Sequence, residues 1–412
     1  MSGAKTSWGS TEMLPVRLDP LGHDLHGQNA ELRALGPVVP VELPGGVTAW
    51  SVTRYAVLRA LLSDPRIAAN SRHWRALAAG EVPPGWPMMS FVTVRSMATA
   101  DGADHRRLRS LVAQAFTARR VAALRPDIER TVDILLDGLA AALARGEPAD
   151  LRERFAYRLP MTVVCDLLGF PVEARAEFHR ISQVTSSTST TAAEELANAR
   201  AMWAMLDAFV ADRRAHPGDD LTTALLAAVT EDGEVLSESE LTATLATLLV
   251  AGHSTVTNLL TNAVRALLSD RDQLTLLTSG QQPWRSLVEE ILRWDSPLGH
   301  FPMRYATEDI EIEGTVIAKG DPIILSFAAV GRDAGAYGPD ADRFDITRPP
   351  AAHLSLGHGV HFCVGAPLAR LQAEIALPAL FTRFPNLALA DEPLSPLPSL
   401  ISNSVRALPV IG

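Results

Sequence analysis

Residues 354–367 read LSLGHGVHFCVGAP and place one cysteine in a turn that is rich in glycine. The glycines at positions 357 and 359 permit tight backbone turns, and Gly365 lets a flat ligand approach the backbone closely. The proline that ends the stretch predicts the first turn of a helix. Cys363 therefore lies directly before a helix N-terminus, where free N–H groups and the helix dipole favour a thiolate. An anionic sulfur of this kind is suited to binding iron.

Three other uses of this segment are compatible with its composition. His353, His358 and His361 could bind zinc together with Cys363, although this is not a usual structural zinc spacing. A dinucleotide loop is a second alternative, but Phe362 stands where the third glycine should be and no βαβ pattern surrounds it. In a third alternative Cys363 is a catalytic nucleophile and His361 is its base. The segment alone leaves these alternatives open.

Four motifs along the chain resemble those of the cytochromes P450. The cysteine segment is similar to the family's haem-ligand loop. The other three motifs are AGHST at residues 251–255, EILR at residues 290–293 and FDITR at residues 344–348. They stand in the family's order, and the resemblance extends from a predicted hairpin at residues 38–52 to the tail. Within the family, the chain looks closest to actinomycete enzymes that modify natural products or steroids.

Helical patterns predominate in the chain. From residue 104 to residue 293, apolar residues recur at three- and four-residue spacing, which predicts mostly helices. Ser237 and Glu240 have capping-box spacing and predict the start of the longest helix, at residues 237–268. The run of serine and threonine at residues 186–191 predicts a mobile connection between two helices. Shorter extended patterns predict strands at residues 38–43, 47–52, 310–313 and 322–327.

These patterns predict a mainly α fold with small β-sheets, and the resemblance implies the cytochrome P450 fold as a single haem domain over residues 1–412. Haem b, iron protoporphyrin IX, would lie between the long central helix and the helix after the cysteine loop. Cys363 would be the axial ligand to the metal, since a thiolate pushes electron density onto iron and favours O–O cleavage. The other haem contacts implied by the resemblance are His105, Arg109, Arg304, His361, Ala251, Leu356, Gly357 and Gly365.

The basic run at residues 105–109 is expected to serve two purposes. His105 and Arg109 are four residues apart and therefore share one helix face, and the resemblance places this pair on a haem propionate. Arg304 and His361 match the family's other propionate contacts. Arg106 and Arg107 point elsewhere and are predicted to be surface charges that help to dock an acidic ferredoxin.

Glu290, Arg293 and Arg348 are predicted to be structural rather than catalytic. The resemblance to the cytochromes P450 implies that the arginine of the FDITR segment completes an ion cluster with the glutamate and arginine of EILR. A buried carboxylate between two guanidinium groups can satisfy both of its oxygens through bidentate hydrogen bonds.

The motif in the long helix supplies the catalytic candidates Gly252, Ser254 and Thr255. In the family an alcohol and a preceding acid relay protons to oxygen, and Thr255 matches that alcohol. Ser254 stands where an aspartate or glutamate is usual, and a serine cannot supply a carboxylate's charge. Ordered water or a polar substrate group could complete the relay, the enzyme could perform radical coupling, or it could use peroxide directly. A smaller departure is Leu356, where the family's loop usually has phenylalanine.

Apolar residues in three regions are predicted to line the substrate pocket. A loop rich in proline and glycine leads into several large apolar residues, as a loop folded over an apolar ligand would. The candidates are Met88, Met89 and Phe91 in that loop, Ala251 in the long helix, Leu298 after the EILR helix and Ile401 in the tail. The substrate should be a sizeable, mostly apolar small molecule.

Composition excludes several other classes of protein. The net charge of -10 argues against a nucleic-acid binder. The first twenty residues have no signal-peptide pattern, and no run of roughly 20 uninterrupted apolar residues predicts a membrane span, so we expect a cytoplasmic protein. Two cysteines form neither a disulfide framework nor a cluster-type set, and no flavin domain is predicted. Electrons would therefore come from a separate ferredoxin and ferredoxin reductase.

The function implied is that of a haem-thiolate monooxygenase that oxidises a hydrophobic small molecule with O2. Secondary metabolites, macrolides, steroids and aromatic or cyclodipeptide compounds are the expected substrates. Alternatives within the same class are oxidative C–C or C–N coupling of aromatic metabolites, such as tryptophan-containing cyclodipeptides, and peroxide-driven oxidation. A haem-based gas sensor is a remote alternative, which would keep Cys363 but would not need Thr255.

Overall fold

The computed structural model describes residues 13–412, which form mainly helices. The helices up to the centre of the chain are α1 (Leu25–Leu35), α2 (Tyr55–Leu61), α3 (Arg75–Ala78), α4 (Met89–Thr93), α5 (Gly102–Ala115), α6 (Ala118–Ala123), α7 (Arg125–Leu143), α8 (Arg158–Leu168), α9 (Arg175–Ser186) and α10 (Ala192–Ala215). The later helices are α11 (Leu221–Ala227), α12 (Glu238–Ser269), α13 (Arg271–Thr278), α14 (Trp284–Trp294), α15 (Phe327–Val330), α16 (Ala334–Tyr337) and α17 (Ala366–Arg383).

Short strands form three small sheets. The strands are β1 (Val16–Arg17), β2 (Val38–Leu43), β3 (Val47–Val52), β4 (Ile67–Ala68), β5 (Ala149–Asp150), β6 (His300–Ala306), β7 (Ile310–Ile312), β8 (Thr315–Ile317), β9 (Pro322–Ser326), β10 (Ala388–Leu389) and β11 (Pro409–Ile411). The largest sheet has the order β1-β2-β3-β9-β6-β4, and the others are β10-β11-β5 and β7-β8. The predicted hairpin is present, with Val38 opposite Val52 and Leu43 opposite Val47. The predicted fold class is therefore confirmed.

Helix α12 is the central element of the helical core. Its predicted capping box is present: the Ser237 hydroxyl accepts a hydrogen bond from the Glu240 N–H, and the Glu240 side chain accepts one from the Ser237 N–H. At 1.5 Å per residue the helix is about 48 Å long, and it packs against α8, α10, α14 and α17. By length and composition it could also cross a membrane, but 61% of its most apolar window is buried inside the fold. Its apolar surface is therefore that of a core helix.

Thr188 anchors the connection between α9 and α10 to distant parts of the chain. Thr188 is only 1% exposed. Its hydroxyl donates to the carbonyl of Pro20 at 2.8 Å and accepts from the N–H of Leu400 at 3.0 Å. The prediction of a mobile connection at residues 186–191 is wrong for this threonine, because hydrogen bonds from distant parts of the chain hold it in place.

Candidate active site

A cavity of about 930 Å³ lies between α12, the cysteine loop and the segment that contains α4. Three walls come from elements that are far apart in the chain. The cysteine loop contributes residues 355–358 and 361–365, α12 contributes Ala251, Ser254 and Thr255, and α10 contributes Glu195 and Asn198. Most of the remaining lining is apolar.

The cysteine loop is a tight turn that two glycines permit. Gly357 and Gly359 have φ angles of +76° and +68°, which other residues rarely adopt. The N–H of Cys363 donates to the carbonyl of Leu356 at 2.8 Å, and α17 begins three residues after the cysteine. The predicted position of Cys363 directly before a helix is confirmed.

The prediction that the helix terminus favours a thiolate at Cys363 holds only in part, because burial acts in the opposite direction. Burial raises the pKa of the Cys363 thiol, while the N–H groups of Gly365 and Ala366 and the charge of Arg109 oppose this rise without cancelling it. A cation bound to the sulfur would reverse the balance, because a coordinating thiol loses its proton. A thiolate at Cys363 would therefore require a bound cation.

Four donor groups converge beside the cysteine. The rings of His105 and His361 lie 4.3 Å apart, and the Arg109 guanidinium donates to the carbonyl of Phe362 at 2.7 Å. Arg304 is buried and donates to the carbonyl of Met303 at 2.9 Å. Arg109, Arg304 and His361 line the cavity. The structure therefore brings together the four residues that the sequence assigned to haem propionates.

This cluster has an excess of donor groups and positive charge. Burial lowers the pKa of Arg304 to about 10, and burial together with the charges of Arg304, His105 and Arg109 lowers the pKa of His361 to about 3. Within residues 13–412, neither Arg109 nor Arg304 forms an ion pair with a carboxylate, and Nε2 of His105 is buried without a hydrogen-bond partner. Buried cations require anionic partners. A flat group with two carboxylates, such as haem, fits this donor set.

The hydroxyls of the α12 motif face the cavity and bond back to their own helix. The Ser254 hydroxyl donates to the carbonyl of Val250 at 2.9 Å, and the Thr255 hydroxyl donates to the carbonyl of Ala251 at 2.8 Å. Gly252 also lines the cavity, and a Cβ atom there would lie 2.9 Å from the Val164 side chain. Close packing of α8 on α12 therefore accounts for this glycine.

The predicted ion cluster around Glu290 is present in a modified form. The Arg293 guanidinium forms two hydrogen bonds of 2.7 Å with the two carboxylate oxygens of Glu290. The N–H of Asp345 supplies the next hydrogen bond, at 2.9 Å. Arg348 remains 3.9 Å from Glu290, because its guanidinium donates to Asp340 and to the carbonyl of Tyr337. The prediction that two guanidinium groups flank Glu290 is therefore confirmed, with Arg348 forming an ion pair with the carboxylate but no hydrogen bond.

Five of the six predicted pocket residues line the cavity: Met89, Phe91, Ala251, Leu298 and Ile401. Met88 does not, and the prediction for this residue is wrong. Its side chain is fully buried among apolar residues of the sheet-side core that include Trp74 and Trp86. Met88 is the N-cap of α4 and is buried in this core, whereas Met89 and Phe91 only partly pack against it and also line the cavity.

Arg107 also differs from its predicted role. Its guanidinium pairs with Glu240 of α12 and with Asp104 at 3.0 Å, and its side chain is only 18% exposed. Arg107 therefore joins α5 to the start of α12 and is not a free surface charge, whereas Arg106 is exposed as expected.

The zinc alternative finds no support in the geometry. Nε2 of His353 lies 3.0 Å from the carboxylate of Glu289, which also pairs with Arg370. In the part of the chain that the structure describes, no three histidine, cysteine or acidic residues are placed to hold a metal ion together.

Three residues of the cavity wall, Ser90, Glu195 and Asn198, were not identified from the sequence. Glu195 follows a capping box in the first turn of α10, where an acidic residue is ordinarily explained by the helix dipole. Its position on an inward face depends on how α10 packs, and no local signal in the sequence reports this packing.

Comparisons with known proteins agree with this site. The family model described as Cytochrome P450 matches residues 284–404. The 2-hydroxy-5-methyl-1-naphthoate 7-hydroxylase of Streptomyces carzinostaticus is 47% identical over 97% of each chain. The cytochrome P450 monooxygenase PikC of Streptomyces venezuelae is 39% identical over 98% of this chain and 96% of PikC. The solved structure of CYP154C4 from Streptomyces sp. W2061 superposes with a TM-score of 0.93 at 44% identity, covering 97% of this chain and 98% of that one. The chain therefore belongs to the cytochrome P450 family of monooxygenases.

Proposed function

We propose that this chain binds haem b through Cys363 and hydroxylates a polycyclic, mostly apolar metabolite of the aromatic polyketide or steroid type. The observation that carries the proposal is the cavity, which has the cysteine, two arginines without carboxylate partners within residues 13–412 and the α12 hydroxyls around one apolar space. The relative named for hydroxylation of a naphthoate supports an aromatic or polycyclic skeleton.

His105, Arg109, Arg304 and His361 would hold the two propionates of haem b, since they are the donors without anionic partners. Leu356, Gly357, Gly365 and Ala251 would contact the macrocycle, because they line the same space as the sulfur. When bound, haem with a thiolate ligand supplies an electron-rich iron that favours O–O cleavage. The chain's own residues exclude water from this space with an apolar lining and hold the substrate against it.

Electrons would come from a separate ferredoxin and its reductase in the cytoplasm. An iron–sulfur cluster ordinarily needs four cysteines, and the sequence has two, Cys165 and Cys363. Cys165 is buried in α8, where its thiol contacts the sulfur of Met161 at 3.6 Å. Arg106 is exposed on α5 and would contribute to an interface with an acidic partner.

Proton delivery is the step for which this chain lacks the family's usual acid. We propose that ordered water or a polar group of the substrate links the hydroxyls of Ser254 and Thr255 to the reacting oxygen. Both hydroxyls donate to carbonyls of α12, so their lone pairs remain free to accept a proton-carrying hydrogen bond. Oxidative coupling of an aromatic substrate is the second candidate, because Ser254 weakens the relay that hydroxylation requires.

Replacing Ser254 by glutamate or aspartate is expected to raise the fraction of consumed electrons that is recovered in product severalfold, because a carboxylate can accept and release the proton directly. The measurement is product formed for each NADPH consumed with a ferredoxin and reductase. Ser254→Gln is the matched control, since it adds a side chain of similar size without a titratable group. Unchanged coupling in both acidic variants, together with efficient turnover of the parent protein by hydrogen peroxide, would favour direct use of peroxide instead.

The proposed function is tested by the reduced, carbon-monoxide-bound difference spectrum of the purified protein. A strongly red-shifted Soret band, typical of a thiolate ligand, is expected, and extraction of the pigment as its pyridine complex should identify haem b. A band typical of a histidine ligand would overturn the assignment of Cys363.

A further inference from the structure

Glu195 is a buried acidic residue in the α10 wall of the cavity, and its side chain is 5% exposed. Its Oε2 atom has no hydrogen-bond partner among the described residues. Burial raises the pKa of this carboxyl group, and the nearby Ser90 hydroxyl only partly opposes the rise. Polar groups without partners in an apolar environment destabilise a fold, so packing alone does not account for a glutamate at this position.

Other buried carboxylates of the protein have clear partners. Glu290 pairs with Arg293, Glu240 pairs with Arg107, and Asp295 pairs with Arg265 and with His26. Glu195 forms no ion pair within residues 13–412. It differs from these carboxylates in one further respect, because it lines the cavity.

Asn198 lies one helical turn after Glu195 and lines the same cavity. Its amide N–H groups donate to the carbonyl of Ile181 and to the hydroxyl of Thr185, each at 3.0 Å, which fixes the orientation of the amide. Its Oδ1 atom is left buried without a partner. Residues three apart on a helix are neighbours on one face. Two buried acceptor oxygens without geometric hydrogen-bond partners among the described residues therefore belong to neighbouring residues on one face of α10, and both residues line the cavity.

The loop before α4 packs against the start of α10, the helix that carries this pair of acceptors. A Cβ atom on Gly85 would lie 2.5 Å from the Cβ atom of Ala192 at the start of α10, so the two segments are in close contact there. Ser90, in the first turn of α4, places its hydroxyl near the Glu195 carboxylate without a hydrogen bond of good geometry to a described residue. Cys363 and Thr255 lie on different walls, so a substrate group held by Glu195 is separate from the position that is oxidised.

We propose that Glu195 and Asn198 form a polar subsite that accepts hydrogen bonds from an amine or hydroxyl group on an otherwise apolar substrate, and that this subsite fixes the substrate's orientation. The inference rests on the proposed function and adds the chemistry of one substrate group to it. Apart from the Ser90 hydroxyl near Glu195, these acceptors have no donor among the described residues of the cavity wall, so they favour a ligand that donates hydrogen bonds, and a ligand with only ether or carbonyl oxygens would leave them unpaired.

The test measures binding of three steroid probes to the haem-loaded protein by equilibrium dialysis. Androstanol donates a hydrogen bond, its methyl ether has the same skeleton without a donor, and dimethylamino-androstane carries a protonated amine. The parent protein is expected to bind the alcohol or the amine more tightly than the ether by about tenfold or more. Glu195→Leu should remove this preference, because the carboxylate that accepts the hydrogen bond is lost.

Glu194→Gln is the matched control, since it removes the same charge one residue earlier, at an exposed position where glutamine can still complete the capping box. This control should keep the full preference for donor ligands. Glu195→Leu should also melt at the same temperature as the parent or higher, because an unpaired buried acid is removed. A lower melting temperature would indicate a structural role for Glu195 and would overturn the proposal.

Glu195→Gln identifies which donor the subsite is built for. If the parent prefers the amine and Glu195→Gln loses that preference, the substrate group is a cation. If the parent prefers the alcohol and Glu195→Gln retains that preference, it is a hydroxyl. Equal binding of all three probes by the parent, or a preference that survives in Glu195→Leu, would overturn the subsite. Failure of the proposed function is a separate result, which would appear as a carbon monoxide complex without the red-shifted band.

Discussion

Replacing Cys363 by serine is expected to abolish the red-shifted Soret band of the carbon monoxide complex and to reduce monooxygenation to background. A serine hydroxyl is a poor substitute for a thiolate, and the electron density that favours O–O cleavage is lost with the sulfur. The measurement is the carbon monoxide difference spectrum, followed by turnover with a ferredoxin and reductase.

Cys165→Ser is the control for this change, because it makes the same substitution at the protein's other cysteine, which is buried in α8. We expect the control to keep the red-shifted band, although the buried hydroxyl lowers stability. Normal spectra and undiminished turnover in Cys363→Ser would show that the metal is held elsewhere.

Glu290→Ala is expected to lower the free energy of unfolding by about 3–5 kcal/mol, because removing one member of a buried ion pair leaves the other charge uncompensated. The Arg293 guanidinium also donates to the carbonyls of Gly331 and Ala341, so it joins α14 to the segment that precedes the cysteine loop. We therefore expect the variant to be purified with little haem. Urea unfolding and the ratio of haem to protein are the two measurements.

Glu177→Ala is the matched control for Glu290→Ala. Glu177 and Arg180 have the same three-residue helical spacing as Glu290 and Arg293, but both side chains are about half exposed. An exposed pair contributes about 0–1 kcal/mol, so this variant should keep its haem. A normally loaded and stable Glu290→Ala protein would refute the structural role of the cluster.

Local patterns predicted the elements that position the site. The Ser237–Glu240 capping box marks the start of α12, and the glycines of the cysteine loop mark its turn, because both signals depend on residues within a few positions of each other. The same holds for His105 and Arg109, since residues four apart on a helix share a face.

Predictions failed where a side chain finds its partner far along the chain. Arg107 pairs with Glu240, which is 133 residues away, and Thr188 bonds to Leu400, which is 212 residues away. Neither partner is visible in the sequence around the residue. The prediction that Met88 lines the pocket was wrong for a related reason, because the direction of its side chain depends on how the loop packs against the sheet-side core. The place of Glu195 in the cavity wall was not predicted, because an acidic residue in the first turn of a helix is already accounted for by the helix dipole.

Thr188 ties the corner between α9 and α10 to both ends of the described chain. Its hydroxyl bonds to Pro20 near one end and to Leu400 near the other, and Ile401, which follows Leu400, lines the cavity. Movement of this corner away from both partners would break the two hydrogen bonds. The residence time of a bound molecule is therefore coupled to how firmly the two ends are anchored. A tag or truncation that loosens either end would shorten that time without altering any residue that contacts the ligand.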